Sequence, residues 1–164
     1  MSIRLAEFKD LEAVVEIYNQ AILTHRSTAD MDTFLVKDKA AWFEEHRKSI
    51  EYPIYVYEVS NKVVGYLYFT GYRPGRRAMR YISEISYYIH NDYQRQGIGT
   101  KLMEFAIEKG KELNLKNLVA ILLGWNIPSI KLLKKFGFEE WGCLPGIADF
   151  DGEICSHMYY GLKI

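Results

Sequence analysis

Little in this sequence can staple, anchor or electrostatically steer the chain. It has two cysteines, Cys143 and Cys155. They lack metal-ligand spacing, and the expectation is a reduced, cytoplasmic chain. No run of 18 apolar residues occurs and no charged-then-apolar leader opens the chain, so neither a membrane span nor a signal peptide is expected. The 21 basic side chains are matched by 21 acidic ones. No global field draws the protein to nucleic acid or to an anionic membrane, and any anion site must be local. His25, His46, His90 and His157 stand singly, so no metal is expected. Repeats and low-complexity tracts are also missing.

What remains is a chain of 164 residues, 49% of them hydrophobic. That suits one domain, residues 1–164, burying about 70% of its unfolded surface. Ser2 to Ala6 alternates as a short strand. Asp10 is placed to cap a helix with the apolar stripe Leu11, Val14, Val15, Tyr18 and Ile22. Thr24 to Asp32 reads as a loop. Asp38 is placed to cap a shorter helix with Ala41, Trp42 and Glu45 on one side. Ile54 to Val59 and Val63 to Tyr72 form a hairpin around Ser60-Asn61-Lys62. A basic loop with Arg73, Arg76 and Arg77 leads through Arg80 into a strand, Tyr81 to Ile89.

The stretch from Glu84 to Thr100 is the most informative. A β-branched and aromatic segment ends at Ile89. Polar turn residues follow, then Gln94-Arg95-Gln96-Gly97-Ile98-Gly99-Thr100. Ile98, Leu102, Phe105 and Ala106 continue at helical spacing. A strand, a glycine loop and a helix entrance make an anion site, because the first helical N–H groups lack partners and the macrodipole favours negative charge. Gly97 and Gly99 let a ligand approach the backbone. The dinucleotide fingerprint fails because residue 102 is Leu, and the P-loop pattern fails too. Leu118 to Leu123 then reads as a central strand, parallel to its predecessor across a right-handed crossover. Pro128 sits near the start of the last helix, Asn126 suits its cap, and Gly137 suits its end. Phe138 to Leu144 and Ile154 to Leu162 read as antiparallel strands joined through residues 149–152.

Gln94-x-x-Gly97-x-Gly99 resembles the pyrophosphate loop of the GCN5-related N-acetyltransferases. Gly124-Trp125-Asn126-Ile127-Pro128-Ser129, ending in Lys135-Phe136-Gly137-Phe138, resembles that family's second motif at the right separation. Glu84-x-Ser86, Asn-x-Pro-Ser and Tyr52-Pro53 are most similar to the phosphinothricin and methionine sulfoximine acetyltransferase branch. The resemblance covers nearly the whole chain. It implies an α/β (α+β) fold: a mixed, largely antiparallel sheet flanked by helices, with a parallel strand pair that splays.

The implied cosubstrate is acetyl-CoA. Its pyrophosphate would rest on the N–H groups of Arg95, Gln96, Gly97, Ile98, Gly99 and Thr100. Its pantetheine would pair along Tyr87, Tyr88 and Ile89, one of whose N–H groups also suits an oxyanion. Asn126 matches the family's other cofactor contact. Glu84 matches a base proposed in the branch; burial would raise its pKa towards use. The bland alternative is a solvent-facing strand glutamate, or one paired with Arg76, Arg77 or Arg80. Leu133 stands where many members carry a Tyr proton donor. On the acceptor side, Arg76 matches a basic position of the branch and suits a carboxylate or phosphinate. Thr28-Ala29 replaces an Asn-Phe pair, which removes an aromatic wall. The leading acceptor is a small amine, an amino acid or its analogue. The competing readings are a protein N-terminal or lysine acetyltransferase and a non-catalytic acyl-CoA sensor. Dimers are common in the branch, and the Tyr-rich C-terminal strands suit an interface.

Overall fold

The computed structural model describes residues 2–164. Eleven α-helices and β-strands follow one another in chain order among the described residues. They are β1 (Ser2–Leu5), α1 (Leu11–Leu23), α2 (Val36–Lys48), β2 (Ile54–Val59), β3 (Lys62–Gly71), β4 (Ile82–Ile89), α3 (Ile98–Glu112), β5 (Asn117–Leu123), α4 (Ile127–Lys135), β6 (Glu139–Phe150) and β7 (Glu153–Lys163). The strands form one seven-stranded sheet in the order β1-β2-β3-β4-β5-β7-β6. Every neighbouring pair is antiparallel except β4 and β5, which are parallel and joined through α3. This is the expected mixed sheet.

The period-two pattern of the strands divides the core between the faces. On one face Leu67, Phe69, Ile85, Leu118 and Ala120 meet Leu102, Met103 and Ala106 of α3 and Leu133 of α4. On the other, Ile54, Val56 and Tyr66 meet Val14, Val15 and Ile17 of α1 and Phe43 of α2. A buried Leu or Phe at such sites contributes about 1.5–3 kcal/mol. Along β4, Ile85 belongs to the α3 and α4 side. Glu84, Ser86 and Tyr88 therefore face α1 and α2.

Two helix starts differ from the expectation. Asp10 precedes α1 but makes no side-chain cap. Its carboxylate instead takes two hydrogen bonds from Arg4, at 2.7 and 2.9 Å, and one from the Glu7 N–H at 2.8 Å. A buried carboxylate gains more from a guanidinium fork than from a cap. Asp38 lies inside α2, not before it. It accepts from the Leu35 N–H at 3.0 Å, across the start of the helix. The buried residues of α2 are Phe43 and His46, whereas Ala41 and Glu45 are exposed. Period alone had too few apolar residues here to fix the inward face. β6 also runs on to Phe150, past register shifts, to a tight turn at Asp151-Gly152, both with positive φ. The expected Asn126 cap is present, accepting from Ser129 N–H at 3.3 Å, and Gly137 has φ +82° past the end of α4.

Candidate active site

β4 and β5 pair only over Ile82–Glu84 and Asn117–Val119. Beyond that the strands part, while β4 stays paired with β3 as far as Ile89. The His90 N–H donates to Val64 O, at 2.9 Å. Antiparallel alternation then puts the main-chain groups of Tyr88 on the β3 side and those of Ile85, Tyr87 and Ile89 on the open edge. Of the three strand residues expected to meet a ligand through the backbone, Tyr88 is thus turned away; its ring faces α1 instead. The open edge at Tyr87 and Ile89 is half-buried and lines a cavity, so its main-chain groups are free to pair with a ligand.

The gap leads to the entrance of α3. Gly97 precedes the helix with φ +79°, and no side chain caps it. No partner within the protein is seen for the backbone N–H groups of residues 95–100 among the described residues. The two glycines serve different needs. A Cβ on Gly97 would meet nothing within 4 Å, so glycine is there for its backbone conformation and leaves open space. A Cβ on Gly99 would lie 3.1 Å from Leu132 and 3.4 Å from Ile89, so that glycine lets α3 approach α4 and β4. Ile98 is buried in the core and offers a ligand only its backbone. Gln96 folds back, its side-chain amide donating to Asp92 O at 3.1 Å, while Arg95 is exposed with φ +59°.

A cavity of about 560 Å³ joins these features, lined among others by Arg26, Tyr87, Gly97, Asn126, Ser129 and Leu133. The Tyr87 hydroxyl meets Ser129 Oγ across its floor. Burial pushes the Tyr87 hydroxyl up to about 12, against the lowering effect of that hydrogen bond. At the other end, Arg26 lies 4.6 Å over the ring of Trp125, which packs on Phe150. Leu133 is buried and leaves the α4 wall without an acid at that position.

Glu84 lies just beyond the cavity, in a row with Thr70 and Val119. The next residues on its face, Ser86 and Tyr88, line the cavity. No ion pair joins Glu84 to Arg76, Arg77 or Arg80 among the described residues, and burial raises its pKa above the ordinary carboxylate value. Arg76 is exposed on the β3–β4 connection and does not line the cavity. Thr28 is turned inwards, its hydroxyl 3.0 Å from the Tyr18 hydroxyl and accepting from Asp30 N–H at 3.2 Å.

The sequence reading missed this last cluster. The helical period places Tyr18 only in the apolar stripe of α1, yet its hydroxyl donates to Asp30 at 2.5 Å and its ring sits edge-on to Tyr88 at 5.0 Å. The signal available was the tyrosine itself, since a buried phenol needs a polar partner. No group of residues suited to hold a metal is seen among the described residues.

Comparison with known proteins agrees with this architecture. The acetyltransferase (GNAT) family profile matches residues 11–138. YwnH of Bacillus subtilis, which carries a provisional phosphinothricin acetyltransferase name, is 40% identical over 100% of this chain and 96% of its own. The L-amino acid N-acyltransferase MnaT of Escherichia coli is 33% identical over 100% of this chain and 94% of its own. The structure of a Salmonella typhimurium acetyltransferase, yncA, with its cofactor acetyl-CoA superposes with a TM-score of 0.91 at 30% identity, covering 99% of this chain and 93% of that one. The chain belongs to the acetyltransferase (GNAT) family and is an acetyl-CoA-dependent N-acetyltransferase.

Proposed function

We propose that this enzyme acetylates the amine of an amino acid or amino-acid analogue, with Glu84 as general base. The observation that carries the reading is the pairing of an uncapped helix entrance with an unpaired strand edge, both opening on one cavity. The residues fit acetyl-CoA chemically. N–H groups of residues 95–100 suit a diphosphate, because aligned main-chain donors at a helix start favour anions. The open edge at Tyr87 and Ile89 suits the pantetheine amides, and Asn126 faces them from the other wall. Acetyl-CoA supplies an acetyl group activated as a thioester.

The protein's own part begins with the amine. Such an amine is mostly protonated at neutral pH. Glu84 takes that proton, directly or through water, and burial makes it a stronger base than an exposed glutamate. An N–H of the open edge, at Tyr87 or Ile89, holds the carbonyl oxygen as negative charge gathers there. The missing acid at Leu133 is tolerable, because a thiol of pKa about 8.5 can leave as its anion.

Acceptor choice follows the relatives. MnaT is named for L-amino acids, and a Salmonella typhimurium relative, 32% identical, is named for L-methionine sulfoximine and L-methionine sulfone. Arg76 then has a carboxylate to meet, and Thr28 lines the acceptor wall. We also place the protein in the cytoplasm, without nucleic-acid or membrane partners, and as a homodimer. Exposed Trp141, Leu144, Ile147 and Ile154 on β6 and β7 support a self-association surface. The test is thiol release from acetyl-CoA with a panel of L-methionine sulfone, other amino acids, polyamines and peptides. Turnover with amino acids supports the reading. Turnover with peptides alone supports a protein acetyltransferase, and CoA binding without turnover on any amine supports a sensor.

A further inference from the structure

We propose that Asp30 is a second carboxylate of the acceptor pocket, holding the incoming ammonium group near Glu84; this deepens the transferase reading above and rests on it. Asp30 lies half-buried on the connection between α1 and α2. Tyr18 donates to it at 2.5 Å, and the Asp30 N–H is tied to Thr28 at 3.2 Å, so the carboxylate is held in place. Tyr18 in turn rests against Tyr88, on the β4 face that carries Ser86 and Glu84.

Tyr68 connects the two carboxylates. It pairs with Ser86 across the sheet, and its hydroxyl pKa is raised, first by burial and further by the negative charges of Glu84 and Asp30. Tyr18 and Tyr68 line one small pocket on this side of the sheet. No cation pairs with either carboxylate among the described residues. The nearby cation, Lys39, is held instead over Phe34 at 3.6 Å and over Tyr18 at 5.0 Å. Two carboxylates without a cation partner, among aromatic side chains, attract an ammonium and repel an anion. An amino acid would enter with its ammonium towards Glu84 and Asp30 and its carboxylate away from them. This gives a reason for discrimination that neither the cavity nor the exposed arginines provide.

The test compares n-butylammonium chloride with uncharged n-butanol by calorimetric titration of the CoA-bound protein, alongside kinetics with L-methionine sulfone. The wild type is expected to hold the ammonium at least about tenfold more tightly than the alcohol. Asp30→Asn, which leaves Glu84 in place, is expected to cut that preference several-fold and raise the acceptor KM about tenfold, with the acetyl-CoA KM unchanged. Tyr18→Phe removes the brace but not the charge, so most of the preference stays. Asp30→Glu guards against a folding defect, since it keeps the charge and is expected to keep the preference. A preference undiminished in Asp30→Asn, missing in the wild type, diminished equally in Tyr18→Phe, or lost in Asp30→Glu overturns the proposal. Loss of turnover on every amine, with an Asp30-dependent preference intact, overturns only the transferase reading. Turnover with an unchanged acceptor KM in Asp30→Asn overturns only this inference.

Discussion

Gly97→Ala separates backbone strain from ligand binding. Gly97 has φ +79°, and the added methyl would meet no protein atom within 4 Å. The free protein therefore bears only the strain of a left-handed alanine, about 1–2 kcal/mol. At about 2–4 °C per kcal/mol for a chain of this size, that lowers Tm by about 2–8 °C. Strain alone leaves CoA affinity untouched, because free and bound proteins share it. The methyl would, however, project into the open space beside the unpartnered N–H groups. Losing one N–H bond to a charged oxygen costs about 1.5–3 kcal/mol, or about 10- to 150-fold in Kd. CoA at about 100 times the wild-type Kd stabilises that protein by about 2.7 kcal/mol. After a loss of about 100-fold the same concentration gives about 0.4 kcal/mol. Fluorimetric melting should thus show a CoA-induced rise of about 5–11 °C in the wild type and about 1–2 °C in the variant. A variant that melts lower as expected but keeps the full CoA-induced rise refutes the assignment of this helix entrance to the diphosphate.

Four further outcomes are expected. Burial opposes ionisation of Asp10, but Arg4 and the Glu7 N–H outweigh it and lower its pKa. The stability it contributes is present above the ordinary carboxylate value and lost as pH falls through the lowered one. Melting of Asp10→Asn against pH should therefore diverge from the wild type at neutral pH and converge in acid; parallel curves contradict this. Glu84 has the opposite sign, since its raised pKa makes the charged form a burden above the ordinary value of 4.5. Glu84→Gln should melt higher than the wild type at pH 7, with the gap closing towards that value; an equal or lower Tm at pH 7 counts against burial of the carboxylate. A Cβ on Gly161 would lie 2.0 Å from the Trp141 ring, so Gly161→Ala should cost about 1–3 kcal/mol in a denaturant melt. Trp141→Lys should turn the proposed dimer into a monomer in light scattering, and an unchanged mass would place the interface elsewhere.

Local chemistry wrote much of this fold into the sequence. The strand, glycine loop and helix from Glu84 onwards, the Asn126 cap and the positive φ of Gly137 all follow from neighbours within a few residues. What escaped depends on distant partners. Asp10 looks like a helix cap until Arg4 folds onto it and Glu58 completes the cluster. The inward side of α2 is set by Phe43 and His46 meeting the sheet, which its sparse apolar pattern could not show. Gly97 and Gly99 look alike in sequence, and only the nearness of Leu132 shows that one is for packing. The Asp30–Tyr18 bond spans a loop whose path no local rule predicts. The resemblance supplied the candidate site; the structure added which strand groups are open and that Glu84 and Asp30 have no cation partner among the described residues.

The account depends most on proton removal by Glu84 beside the parted strands. Its direct measurement is kcat against pH for the wild type and Glu84→Gln with saturating acetyl-CoA and L-methionine sulfone. The account predicts a kcat lower by about 10²- to 10⁴-fold in the variant, loss of the acidic limb of the profile, and an unchanged acetyl-CoA KM. A variant with kcat within a few-fold of the wild type and the same acidic limb would contradict it.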